Sequence, residues 1–413
     1  MQLPIFLDHQ STTPVDPRVL EAMLPCFTKE FGNAASRTHP YGWRAQELLE
    51  TARGEVAAAI GAGRDDIVFT SGATESNNIA ILGAADALKE RGNHIVTTAI
   101  EHHATLDPCR HLANRGFDVT FLRPDGAGLV TAEQVAGAIT QRTILVSVMA
   151  ANNEIGTVYP LAEIGRICRE QGVLFHTDAA QAVGKVEIDV DEMGIDLLSI
   201  SGHKVYGPKG VGALYARRRD PIVRLSPVFH GGGHERGLRP GTPNTPGAVG
   251  LGAALAIARR DMKEEAERIQ RLRDRLHKAI SDGLDGVTLN GHLERRLPGS
   301  LNLSFRSVPS DALLISLKDI AVSSGSACTS ASVEPSYVLR AIGIPASLAF
   351  SSIRFGIGRF NTAEEIDLAA QRVVETVSNL RSIHKQVAGR RRPPPKSAAP
   401  ESGAPDRASG GRG

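Results

Sequence analysis

The chain has 413 residues with 47 Lys and Arg against 45 Asp and Glu, a formal net charge of +2, so it is not built as a broad basic surface for nucleic acid. Hydrophobic residues make up 41% and charged residues 22%, which excludes a wholly disordered chain and supplies a sizeable core. No apolar run approaches the ~20 residues that cross a bilayer, and the opening MQLPIFLDHQ, interrupted by Asp8, lacks the basic start and apolar stretch of a secretory signal. A cytoplasmic protein without membrane or nucleic-acid partners is expected.

Single cores stop growing at roughly 250–300 residues, so the length suggests two domains. From about residue 64 one pattern repeats: a short β-rich run, a turn, then a helical stretch. DIVFT precedes SGATESNNIAILGAADALKERG, HIVTTAI precedes EHHATLDPCRHLANRG, and TILVSVMA leads through ANNEIGTVYP into LAEIGRICREQG. VLFHTDA, DLLSISG and GVGALYA follow with shorter connections. Such alternation predicts an α/β fold with a mostly parallel sheet covered on both faces. Ligands in such folds bind beyond the carboxyl ends of the strands.

After HGGGHERGLRPGTPNTPG comes AVGLGAALAIARRDMKEEAERIQRLRDRLHKAI, a helical pattern long enough to call for a bend and to carry the chain into a second, α+β domain. There LNLSF and IAVSS read as strands, and SDALLISLK and TAEEIDLAAQRVVETVSNLRSIHKQ as helices. The expected division is 15–258 for a large domain, 1–14 with 259–388 for a small one, and 389–413 for a disordered tail. That tail, rich in Pro, Gly, Ser and Ala, holds six basic and two acidic residues, so the slight basicity of the chain belongs to it.

Three strand ends carry the chemistry. VLFHTDAAQ puts Asp178 just past one strand, and DLLSISGHKVYGPKG puts Ser201, His203 and Lys204 just past another. An aspartate and a lysine at one sheet edge are what pyridoxal phosphate requires: the lysine condenses with the aldehyde, and the carboxylate keeps the pyridine nitrogen protonated. SGATES supplies a Gly turn entering a helix, where backbone N–H groups and the Thr74 hydroxyl suit a phosphate. Taken singly, such a lysine is a solvated charge, such an aspartate a cap, and Gly-Ala-Thr a helix start; their joint order along one chain is what argues for a site. His102 reads either as a ring that stacks and moves protons or as a helix-start histidine facing water, and His103 as structural.

The four cysteines form no CxxC pair, so neither a zinc site nor a disulfide framework is suggested. Cys168 falls on an apolar stripe with Leu161 and Ile164, while Cys109 and Cys26 read as inert. Cys328, in the small polar run SSGSACTSASVEPSY, alone has the exposed context a nucleophilic thiol needs. Arg354, in SSIRFGIGR, suits a substrate carboxylate, against the plain alternative of a surface ion pair. HGGGHERG is no dinucleotide loop, because no strand precedes it.

Together these residues resemble the pyridoxal-phosphate-dependent cysteine desulfurases of the class V aminotransferase superfamily, over about nine-tenths of the chain. FTSGATES, ANNEIG, FHTDAAQAVGK, SGHKVYGPKG, GGGHERG and SSGSACTSASVEPSYVLRA occur in order. The resemblance implies a fold type I transferase in which Lys204 holds pyridoxal 5′-phosphate, Asp178 pairs with the ring nitrogen and Gln181 binds the phenolic oxygen. His102 would stack on the ring and handle protons, and Asn153 would orient cofactor and substrate. Ala73, Thr74, Ser201, Gly202 and His203 match phosphate-binding positions, while Asn33 and Arg354 match positions that hold the substrate carboxylate. Thr242 would reach the phosphate of a neighbouring subunit, which implies a homodimer. L-cysteine would yield L-alanine, with sulfur leaving as a persulfide on Cys328 for acceptors such as an iron–sulfur scaffold, where Cys328 would be a transient cluster ligand.

The sequence departs from the family at Ala34, where proline is common, at RPGT in place of RSGT, and in the Pro/Arg-rich end, which bears on scaffold docking. The cysteine loop fits the housekeeping branch; FHTDAAQAVGKV and RPGT also fit the nitrogen-fixation-linked one. A selenocysteine lyase or another class V aminotransferase is the nearest alternative, and a non-catalytic sulfur carrier the alternative from a different class.

Overall fold

The computed structural model describes residues 3–219, 221–308, 310–324 and 334–390. Twelve strands occur among these residues: β1 (Ile5–Phe6), β2 (Ile67–Thr70), β3 (His94–Thr98), β4 (Asp118–Leu122), β5 (Thr143–Ser147), β6 (Leu174–Asp178), β7 (Leu197–Ser201), β8 (Gly212–Ala216), β9 (Val287–Leu289), β10 (Ser300–Phe305), β11 (Ile320–Ala321) and β12 (Ser352–Gly356).

Seven of them form the main sheet in the order β2-β8-β7-β6-β5-β3-β4. Neighbours from β7 to β4 pair in parallel, and β8 is antiparallel to both β2 and β7. The expected mostly parallel α/β sheet is therefore present. Its inner strands β3, β5, β7 and β8 are buried at every residue, as a sheet covered on both faces requires. The sequence pattern does not single out β4. DVTFL lies at the sheet edge, where burial is only partial and the apolar signal correspondingly weak.

The helical stretch after RPGT runs unbroken as a 39-residue α-helix, Thr245–Gly283, capped by the Asn244 side chain, which accepts from Gly247 N–H. The expected bend is absent. Its first part buries Leu251, Ala254, Leu255 and Ala258 in the cluster beneath the main sheet, and its second part buries Ile269, Leu272, Leu276 and Ile280 in another. Because each half packs on its own core, length needs no kink.

That second cluster collects Ile5 and Leu7 from the amino terminus with β10, β12 and the helix Ala363–Arg390. LNLSF lies within β10, IAVSS contributes only the two-residue β11, and Arg354 falls inside β12 rather than in a loop. The last helix continues through Gly389 and Arg390, two residues into the stretch expected as tail; 391–413 lie outside the described residues. No described helix is long and apolar enough to cross a membrane.

Candidate active site

At the carboxyl ends of β2, β3, β5, β6 and β7 lies a cleft of about 560 Å³ lined by Ala73, Thr74, His102, Asn153, Asp178, Gln181, Ser201, His203, Lys204 and Arg354. The sheet topology delivers most of the set. Asp178 and Ser201 are the last residues of the adjacent strands β6 and β7, and a 3-10 turn, Gly202–Lys204, follows directly.

Lys204 Nζ donates to the backbone carbonyls of Gln10, at 2.5 Å, and Ser11, at 2.8 Å, so the amino-terminal segment aims it into the cleft. Asp178 is fixed at both oxygens, Asn77 Nδ2 donating to Oδ2 at 2.7 Å and Ala180 N–H to Oδ1 at 3.0 Å. Both donors are neutral, so neither supplies a counter-charge to the carboxylate. His102 is the N-cap of the helix His103–Ala113, and its Nδ1 accepts from Ala104 N–H at 3.1 Å. Burial first, and Lys204 among the charges, lower its pKa, with Asp178 opposing. The ring is thus neutral near pH 7, with its one proton on Nε2. His203 is held near 4 by burial, then by Lys204, and its Nδ1 lies 3.0 Å from Thr12 Oγ1.

The phosphate-type cradle is built from glycines. Gly72, at φ 154°, precedes the 16-residue helix Ala73–Leu88, whose first N–H groups face the cleft with the positive helix end. Ser201 pairs with Gly212 on β8, where a Cβ would stand 2.3 Å from Ile200 O and 2.6 Å from Gly72 Cα. Only glycine permits that approach of strand to loop.

Arg354 is buried, and its Nη2 donates to Asp8 Oδ1 at 2.8 Å and Ser11 Oγ at 2.6 Å. Its Nη1 donates to Asn153 O at 3.0 Å, and its Nε has no partner among the described residues. The guanidinium is therefore no surface ion pair: it is held in place with a donor to spare. Asn33 and Thr242 are exposed and do not line this cleft. Their neighbours Ala34, Ala35 and Pro243 line a separate groove of about 930 Å³.

Cys328 lies outside the described residues, but both flanks of its segment are described. Ser323 Oγ donates to Asp8 Oδ2 at 2.9 Å on one side. On the other, Ser336 Oγ donates to Glu154 Oε2 at 2.5 Å and Tyr337 OH to Glu101 O at 2.6 Å. Asp8 also binds Arg354, Glu154 follows Asn153 and Glu101 precedes His102, so the segment springs from the cleft's own framework. Cys26, Cys109 and Cys168 are buried, and among the described residues no cluster of His, Cys, Asp and Glu could hold a metal.

Sequence reasoning missed the partners that tie these groups down: Gln10 and Ser11 on Lys204, Asn77 on Asp178, Asp8 on Arg354. Asp8, Gln10 and Ser11 share the LDHQSTT stretch, but pairing across 101 to 346 residues leaves no local trace of which groups they restrain.

A family model described as Aminotransferase class-V matches residues 5–368. The chain is 57% identical to the cysteine desulfurase IscS of Anaeromyxobacter dehalogenans (strain 2CP-C), over 93% of this chain and 95% of that protein. It is 57% identical to the probable mitochondrial cysteine desulfurase of Dictyostelium discoideum, over 92% of this chain and 84% of that one. Among solved structures, a NifS-like protein superposes with a TM-score of 0.85 at 36% identity, covering 92% of this chain and all of that one. DndA from Streptomyces lividans does so at 0.73 and 44%, over 84% and 98%.

The cofactor of these enzymes is pyridoxal 5′-phosphate, and the cleft fits it. Asn153 Oδ1 is a buried acceptor without a partner among the described residues, the helix N-terminus and its glycines leave room for a phosphate, and a lysine and a carboxylate converge between them. With family model, relatives and cleft in agreement, the chain belongs to the class V aminotransferases, in their pyridoxal-phosphate-dependent cysteine desulfurase branch.

Proposed function

We propose that this cysteine desulfurase converts L-cysteine to L-alanine and passes the sulfur, as a persulfide on Cys328, to an acceptor protein for iron–sulfur cluster assembly in the cytoplasm. The observation that carries the reading is the convergence of Lys204, Asp178, His102 and Arg354 on one cleft from which the flanks of the Cys328 segment also spring.

Bound pyridoxal 5′-phosphate supplies the electron sink that makes the substrate's Cα–H acidic. Lys204 would hold it covalently and would take up the Cα proton, Asp178 would pair with the ring nitrogen, and Gln181 would bind the phenolic oxygen. Ala73, Thr74, Ser201, Gly202 and His203 surround the phosphate. His102 would offer its Nε2 proton to the substrate, and Asn153 with Arg354 would hold the substrate carboxylate. The substrate's Cβ–S bond breaks as the Cys328 thiolate forms an S–S bond to that sulfur, and Cβ takes up a proton, so cysteine and thiol balance alanine and persulfide. Cys328 would then meet a scaffold's cluster as a transient ligand.

We read the working form as a homodimer divided as 15–258, 1–14 with 259–388, and 389–413, with Thr242 completing the partner's phosphate site. Exposed Phe31, Tyr41 and Trp43 lie on the face that carries the groove beside Pro243, an apolar surface suited to a second copy. Sedimentation should give a dimer; a monomer at micromolar concentration would refute this.

The central test compares the parent with Cys328→Ser and Lys204→Ala. With L-cysteine the parent should release alanine and carry a persulfide. Cys328→Ser should lose the persulfide, and Lys204→Ala both products and the cofactor's visible absorbance. A keto acid without persulfide would instead favour an aminotransferase, and sulfur transfer surviving Lys204→Ala a simple carrier.

A further inference from the structure

Behind the cleft sits a half-buried lysine that the reaction does not use. Gln181 and Lys185 lie on the turn after β6, held by Val183 N–H to Ala179 O at 3.0 Å and Lys185 N–H to Ala182 O at 2.9 Å. Gly184 makes the turn at φ 76°, where a Cβ would stand 2.6 Å from Val205 Cγ2. Four residues apart on this turn, the two side chains meet: Lys185 Nζ donates to Gln181 Oε1 at 3.2 Å. Gln181 Nε2 in turn donates to Gln10 O at 2.8 Å, the carbonyl that also receives Lys204.

A carboxamide has one accepting and one donating end, and nothing in its shape decides which faces a ligand. With Oε1 engaged by Lys185 and one Nε2 hydrogen on Gln10 O, the second Nε2 hydrogen is what remains for the cleft. We propose that Lys185 is a positioning residue for the cofactor: by holding Gln181 Oε1 it commits Gln181 to donate, through Nε2, to an anionic oxygen on the cofactor ring. This rests on the reading that Gln181 faces that oxygen.

The cost of the arrangement argues for its use. Lys185 reaches a cavity of about 40 Å³ that it shares with His9, Gln10, Tyr206 and Glu265. Burial, then Lys204, pulls its pKa from 10.5 down to about 7, with Arg354 adding to the fall and Glu265 opposing it. Glu265 is itself engaged by Arg359 at 2.9 Å, and His9 and His203 both feel the Lys185 charge. A base lowered by folding destabilises the protein, fully below about pH 7 and not at all above the unfolded value.

The test uses Lys185→Met, Gln181→Leu and the double variant, reading pyridoxal 5′-phosphate dissociation, its visible absorbance, and the melting temperature of cofactor-stripped protein at pH 6. Lys185→Met should weaken cofactor binding by about tenfold, the scale of one charge-assisted hydrogen bond, and shift the pH midpoint of the visible band upward as a neighbouring positive charge is lost. The stripped variant should melt no lower than the parent, a split between stability and cofactor affinity that a structural role would not produce. In the Gln181→Leu background the further loss of Lys185 should change binding less than twofold. Additive effects, or a Lys185→Met protein with parental affinity and spectrum while Gln181→Leu is weakened, would overturn the proposal. A silent Gln181→Leu would instead overturn the reading of Gln181 beneath it.

Discussion

Replacing Glu101 with glutamine should raise the protein's stability relative to the parent progressively as pH rises. Glu101 is fully buried beside His102, with Oε1 accepting from Thr98 Oγ1 and Met149 N–H, each at 2.9 Å, and Oε2 without a partner among the described residues. Burial, opposed by those two donors and reinforced by Asp178, pushes its pKa from 4.5 up to about 8. Between those values the folded protein holds a proton that the unfolded chain has released, so stability falls as pH rises and levels off above about 8. At roughly 1.4 kcal/mol per pH unit, ionised Glu101 costs the folded state on the order of 5 kcal/mol at the alkaline end. Glutamine keeps the accepting oxygen and buries no charge. Its amide group, left without an acceptor, adds a roughly constant penalty of about 1–3 kcal/mol, so the widening of the gap carries the test. Urea unfolding of the cofactor-loaded proteins at pH 5.5 and 7 should show the variant's relative stability rising by roughly 2 kcal/mol. A gap that is constant or shrinks with pH would refute the reasoning.

The other expectations concern thiols, the guanidinium and the glycine cradle. Burial raises the pKa of Cys26 and pushes Cys109 and Cys168 up to about 12, so labelling of the native protein at pH 7.5 should modify one thiol per chain, lost in Cys328→Ser; a second fast-reacting thiol would contradict this. Arg354→Lys keeps the charge but cannot reach Asp8, Ser11 and Asn153 together. KM for L-cysteine should rise roughly 10- to 100-fold with the cofactor's visible band retained, and an unchanged KM would remove Arg354 from the carboxylate site. Gly212→Ala drives a Cβ against Ile200 O and Gly72, and should cost about 1–3 kcal/mol in unfolding assays while loosening cofactor retention. A variant with parental cofactor affinity would show that β8 does not shape the cradle.

The sheet was legible because its inner strands are buried on both faces and so read as continuous apolar runs, while β4, at the edge, had no such signature. Asp178, Ser201 and Lys204 were legible because strand ends in a parallel sheet share one edge. The strand that carries Arg354 was not marked because SSIRFG alternates too briefly to signal β12, which pairs with β10 on one side and bridges to the amino terminus on the other. The restraints on the site were hidden for a different reason. Asp8, Gln10 and Asn77 act through contacts that only the closed chain creates, and Lys185 looked like any turn lysine until its surroundings were known.

The unbroken Thr245–Gly283 helix imposes phase as well as connection. At ~1.5 Å per residue it is a beam of roughly 58 Å, with Ala258 the last small residue buried in one core and Ile269 the first of the other. Inserting a single residue between them would rotate everything downstream by about 100° and turn Leu272, Leu276 and Ile280 out of their core. Chimeras that exchange one half with a relative should therefore tolerate sequence change in this stretch, but not a change in its length.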